Sequence, residues 1–129
     1  MRALVDTSFL LRAVELGTDL LARVEDKLGT KIVPVVVPEV VKELTSLAKG
    51  KNVRAKRAGL ALLLCETLER LDTATGGEGV DLVLLRRAKE LGLPVLTCDS
   101  KLRRSLRRAG VGVIYVDKKG EVRVEAIIL

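Results

Sequence analysis

The chain of 129 residues contains no histidine, no tryptophan and no glutamine. Without histidine there is no imidazole general base, no histidine-centred triad and no histidine metal ligand. Hydrolysis by this chain must therefore run on carboxylates, hydroxyls, lysines or a metal held by oxygen. Phe9 and Tyr115 are its only aromatic residues, too few for a platform on which nucleic-acid bases stack. No apolar run reaches the ~18 residues of a membrane helix. Charge and a helical pattern arrive by Arg12 and Glu15, before a secretory signal could be complete. These absences predict a cytoplasmic chain with no membrane partner. Cys65 and Cys98 have no partner at metal-ligand spacing and sit in apolar contexts, where cysteine behaves as a small buried hydrophobe. Asn occurs only at Asn52 and Met only at the start, while Arg, Lys and Glu abound, as in thermophile proteins that avoid heat-labile residues.

What is present is an apolar interior and a basic surface. Hydrophobic residues make up 48% of the chain, enough for a packed core, and the length fits a single domain over 1–129. Lys and Arg outnumber Asp and Glu by 23 to 17, a balance of +6 that suits a polyanionic partner.

Strand and helix signals alternate. An apolar strand over 2–5 precedes a helix over 7–17, and a second helix covers 18–28. The β-branched run 31–37 is a strand interrupted by Pro34, which predicts an edge or a bulge. Helices follow at 38–49 and 54–70, the second rich in Ala and Leu. "LDTAT" at 71–75 is a candidate short strand and "GGEG" at 76–79 a loop. Helix 79–91, strand 94–98, helix 100–109, strand 112–116 and a closing hairpin complete the chain. This order predicts a three-layer α/β/α sandwich around a mainly parallel sheet, whose ligand sites lie beyond the carboxyl ends of the strands.

Two apolar strands end on acids at such positions: "RALV" on Asp6 and "PVLTC" on Asp99. Each acid also stands where it could cap the next helix, and one carboxylate oxygen can cap while the other binds a ligand. Asp81 shares a helix face with Leu84, Leu85 and Ala88 at about 100° per residue. An acid in line with an apolar stripe is costly unless paired, capped or bound to metal. Glu43 borders the stripe of Val40, Leu44 and Leu47, with Glu39 farther out, and is equally readable as a solvated helix residue. Four carboxylates converging on one cleft would repel, and a divalent cation removes that cost. Ligation by acids alone suits Mg²⁺ or Mn²⁺, whose chemistry is the hydrolysis of phosphodiesters.

"LVDTSFLL", "VPEVVKEL", "GVDLVLLRRAKELG" and "VLTCDSKL" together resemble, in order and spacing, the four motifs of PIN-domain nucleases over nearly the whole chain. The resemblance implies an α/β/α sandwich with a Mg²⁺- or Mn²⁺-dependent site that cuts RNA. It assigns metal-site roles to Asp6, Glu43, Asp81 and Asp99, and supporting roles to the hydroxyls of Thr7, Ser8 and Thr97, which would orient an acid or a water. Glu78 is a further acid, read as an exposed loop residue. Val80 and Leu82 flank Asp81, so the second acid often adjacent in this motif is missing. The resemblance also implies a homodimer, for which the apolar helix "GLALLLCETLERL" offers a surface or simply core. Its two roles are a toxin of the VapC kind, held by an antitoxin protein, and an rRNA-processing endonuclease.

Arg103, Arg104, Arg107 and Arg108 follow Asp99 closely enough for phosphate contact, although a solvated helix face is the ordinary meaning of such a run. Lys49, Lys51, Arg54, Lys56 and Arg57 form a second cluster. A nucleotide-binding or phosphoacceptor domain fits poorly, because the chain has no GxxxxGK[ST] loop. A non-catalytic RNA-binding module whose acids only cap helices is the other alternative.

Overall fold

The computed structural model describes residues 1–17, 19–72 and 78–127. Its elements are β1 (Arg2–Val5), α1 (Thr7–Leu16), α2 (Asp19–Leu28), β2 (Val33–Val36), α3 (Pro38–Ala48), α4 (Val53–Cys65) and β3 (Glu69–Arg70). They continue with α5 (Val80–Leu91), β4 (Val95–Thr97), α6 (Ser100–Arg108), β5 (Val113–Val116) and β6 (Val122–Glu125). The sheet runs β3-β2-β1-β4-β5-β6; the first five strands are parallel and β6 is antiparallel to β5.

Parallel strands need crossover helices, and right-handed crossovers send α1 to α4 over one face and α5 and α6 over the other. Burial agrees with this. Leu4, Val5, Val95, Leu96, Val113 and Ile114 are inaccessible, as central strands covered on both faces must be. The fold is therefore the three-layer sandwich expected from the alternation. Because β2 lies on one side of β1 and β4 on the other, the sheet reverses its winding between β1 and β4. The crevice above those two strand tips is the topological switch point, where such sheets hold ligands.

Several local readings change. The Ala/Leu-rich helix ends at Cys65 rather than 70. Its last turn tightens through Glu66 N–H to Leu63 O and Thr67 N–H to Leu64 O, and Arg70 then pairs with Val36 in the sheet. The short strand is thus Glu69–Arg70; Leu71 and Asp72 lie outside it, and the rest of "LDTAT", with Gly76 and Gly77 of the loop, lies outside the described residues. Pro34 lies near the sheet's edge, as expected, in the strand next to the edge strand β3. Its ring nitrogen falls on the side of β3, below the point where that two-residue strand begins at Val35, so no ladder bond is lost. The tail does form a hairpin. Asp117 Oδ1 accepts the backbone N–H groups of Lys119 and Glu121, and Gly120 supplies the left-handed backbone (φ +85°) that closes the turn.

On α4, Ala58, Ala61 and Cys65 are buried, whereas Leu60 and Leu63 are 55% and 59% exposed. One helix thus supplies both core and an apolar outer face. Both cysteines are free thiols, and burial pushes the half-buried Cys98 up to about 12, which makes it unreactive. Phe9 and Tyr115 are buried, so neither offers a stacking surface. Among the described residues, no helix is long and apolar enough to cross a membrane.

Candidate active site

Asp6 stands immediately after β1 and Asp99 two residues after β4, so the two acids flank the switch point. Asp6 N–H donates to Leu96 O at 2.9 Å, which fixes the tip of one strand against the other. The side chains extend this link. Ser8 Oγ donates to Asp6 Oδ2 at 2.6 Å, and Thr97 Oγ1 donates to the same oxygen at 2.8 Å. Each hydroxyl then accepts a backbone proton from the β4 tip: Cys98 N–H reaches Ser8 Oγ at 3.0 Å and Asp99 N–H reaches Thr97 Oγ1 at 3.0 Å. A hydroxyl has one proton, and here both protons go to the carboxylate. The 3.2 Å approach of Ser8 Oγ to Thr97 Oγ1 is therefore packing rather than a third donation.

This arrangement corrects the capping reading of Asp6. The residue has the extended backbone of an N-cap, but its side chain makes no cap bond to α1, because Oδ2 is held by the two hydroxyls. Asp99 does cap. Its Oδ1 accepts from Lys101 N–H at 2.8 Å and Leu102 N–H at 3.2 Å, so the cap occupies one of its two oxygens. Of the three supporting hydroxyls, Ser8 and Thr97 act on Asp6. Thr7 does not; its hydroxyl is buried and takes no partner among the described residues.

Asp81, in the first turn of α5, shares the helical angle of Leu84 and Ala88, yet its side chain is exposed to solvent. Glu43 is exposed on α3 and Glu39 is buried, the reverse of the expected order. The two acids lie four residues apart on nearly the same side of α3, so their place along the helix separates them: Glu39 is in the first turn and Glu43 one turn on. Glu78 is half-buried rather than an exposed loop acid, and pairs with Arg86.

The acids sense one another. Burial pushes the Asp6 carboxyl up, its two hydroxyl donors oppose this, and the charge on Asp81 adds to it. Partial desolvation, then repulsion from Asp99 and from Glu43, pushes Asp81 up, with Lys101 opposing. The four acids thus lie within electrostatic reach of one crevice, brought there by β1, α3, α5 and the β4–α6 turn. Among the described residues, however, no three acids, histidines or cysteines stand close enough to grip an ion as a ready cage. The donor set is all oxygen, hard and anionic, and so suits Mg²⁺ or Mn²⁺. A cation would also relieve the repulsion at Asp81.

The arginines of α6 divide. Arg103 Nε and Arg107 Nε each lie 2.5 Å from an oxygen of Glu125 on β6, and Arg103 covers the ring of Tyr115. Arg104 and Arg108 are exposed and carry no such pairing among the described residues. Lys101 facing Asp81, and Glu125 binding two arginines, were missed in the sequence. Lys101 had a usable signal, its place in the first turn after Asp99; Glu125 had none, since the contact spans β6 and α6.

The family described as PIN-like domain matches residues 3–119 of the chain. No curated protein matches it. Among solved structures, that of the PIN domain endonuclease Utp24 is similar, with a TM-score of 0.77 and 25% sequence identity, over 98% of this chain and 92% of that one.

Proposed function

The chain belongs to the PIN-like domain family, and from that premise we propose that it is an intracellular, Mg²⁺- or Mn²⁺-dependent endoribonuclease. The observation that carries this reading is the bonded link from Asp6 through Ser8 and Thr97 to the Asp99 backbone, set at the switch point of the sheet. Asp6, Asp99, Asp81 and Glu43 would hold the cation. When bound, it would polarise the phosphodiester and activate water for attack at phosphorus.

The residues have distinct tasks. The two hydroxyls aim the buried Asp6 carboxylate and oppose the upward push that burial gives it. Asp99 keeps one oxygen on the α6 cap, which fixes the direction of the other. The amino end of α6 carries a partial positive charge that favours an approaching phosphate. Glu43 and Asp81 are exposed on helices and can adjust toward the ligand. The likeness to the endonuclease Utp24 supports cleavage within a strand. The exposed Leu60 and Leu63 of α4 support pairing of two copies through that helix. The toxin and rRNA-processing roles would use the same acids; toxicity on expression, relieved by a neighbouring antitoxin, selects the first.

The test is cleavage of a structured RNA in Mn²⁺, Mg²⁺ or EDTA, beside Asp6→Asn with its fold checked by circular dichroism. Cutting should require metal and fall at least ~100-fold in the variant, the effect of losing several kcal/mol of transition-state stabilisation. A folded chain that binds RNA but cuts it under no metal would make it a binding module.

A further inference from the structure

The four arginines of α6 are neighbours in sequence but not in chemistry. Leu102 and Leu106 are buried and define the inward face of the helix. At about 100° per residue, Arg104 points directly away from them, with Lys101 and Arg108 within about 60° of it. These three form one outward row. It starts at Lys101, whose backbone N–H is capped by Asp99, and ends at Arg108, about 10 Å away by the helical rise. Arg103 and Arg107 lie to one side, where Glu125 draws both toward β6.

Arg104, Arg107 and Arg108 enclose an open concavity of about 290 Å³. Helix-dipole stabilisation accounts for basic residues in a last turn, which covers Arg107 and Arg108. It does not account for Arg104 in mid-helix, or for its alignment with Lys101. Three guanidinium groups around one hollow repel, and Glu125 offsets only one of them.

We infer that Arg104 and Arg108, with the outer edge of Arg107, form a phosphate subsite for a single RNA strand that leaves the acidic crevice along the Lys101 row. This rests on the endoribonuclease reading and adds where the strand beyond the scissile phosphate is held. Glu125 sets the boundary by keeping Arg103 and the inner edge of Arg107 out of the track. The subsite contacts backbone only, so it adds affinity without reading sequence.

The experiment measures binding without cleavage: anisotropy of a fluorescein-labelled single-stranded RNA 20-mer, in EDTA, across a salt series. The full chain is compared with the double variant Arg104→Ala/Arg108→Ala and with Lys89→Ala, an exposed lysine of α5 outside this row. Both arginines are exposed and make no ion pair among the described residues, and Ala is a good helix former, so the double variant should fold. Each lost phosphate contact lowers the slope of log K against log salt by about 0.7 for a single strand. The double variant should therefore lose about 1.4 from the slope and bind at least ~10-fold more weakly, with Lys89→Ala like wild type. Equal slopes and affinities in all three proteins would overturn the subsite. Because cleavage is not read, a loss of RNA binding here stands even if the wild-type chain does not cut RNA with any metal supplied.

Discussion

Asp6 and Asp99 both stand at the tips of central strands and both directly precede a helix, but the fold holds them by different means. Asp6 is buried, caps nothing, and is clamped by Ser8 and Thr97. Asp99 is half-buried and anchored by the cap it makes on α6. The first acid is positioned by tertiary contact, at the cost of desolvating its charge. The second is positioned by local backbone geometry and keeps water. A site built from one of each has a fixed wall and a wall that moves only with its helix. Thr97 joins the two, since its hydroxyl donates to Asp6 and accepts from the backbone of Asp99.

The largest effect on that comparison should come from cutting the join. Thr97→Val keeps the shape but removes one donor to Asp6 and leaves the Asp99 N–H without its acceptor. Thr97 is inaccessible to solvent, so the loss should cost about 1–3 kcal/mol in urea unfolding. Metal affinity or cleavage should fall about 10–100-fold, as when groups that orient a ligand are lost, and Thr97→Ser should restore most of it. Wild-type stability and activity in Thr97→Val would mean that the two tips are set independently.

A smaller effect separates the tips by mechanism. Asp99→Ser retains a capping oxygen and Asp99→Ala does not, so the Ala variant should be about 1 kcal/mol less stable while both lose cleavage. At Asp6 the cap contributes nothing, so any gap between Asp6→Ser and Asp6→Ala must come from the clamp. It should close when Ser8 is also changed to Ala. Thermal unfolding of the six variants decides whether the cap and the clamp are separate devices.

These contrasts also mark what was readable from sequence. The sandwich was legible because apolar strands, amphipathic helices and glycine stops repeat in order, and the two strand tips were legible because each apolar run ends on a carboxylate. The clamp on Asp6 joins groups from the two ends of the chain, Ser8 and Thr97, and no local pattern distinguishes it from an N-cap. The burial of Glu39 over Glu43 runs against helical angle, since Glu43 stands nearer the stripe of Val40 and Leu44; it depends on what covers the first turn of α3, which apolar spacing does not carry. The early end of α4 was hidden because Leu68 and Leu71 continue its apolar pattern after the backbone has turned toward β3. The pairing of Arg103 and Arg107 with Glu125 required the position of β6.

Asp81 offers the finest test, because it belongs to neither class: it stands on a helix, reaches solvent, and is still pushed up by partial desolvation and by Asp99 and Glu43. In the metal-free chain the folded state therefore retains a proton that the unfolded state has released once the pH passes the ordinary carboxylate value of 3.8. Bound protons are then fewer in the unfolded state, so stability falls as pH rises through the window, and the penalty is complete above the raised value. Asp81→Asn removes this penalty. Screened by water, the gain should be a few tenths of a kcal/mol to about 1 kcal/mol at pH 7, shrinking toward zero as the pH is lowered to about 4. Mn²⁺ should reverse the order, stabilising wild type more than the variant, because a ligand that binds only the folded state adds to its stability. Urea titrations at the two pH values, with and without Mn²⁺, measure all four differences. A variant no more stable than wild type at pH 7 would mean that Asp81 already escapes its neighbours by moving into solvent, and the crevice would then hold two fixed acids rather than a repelling set.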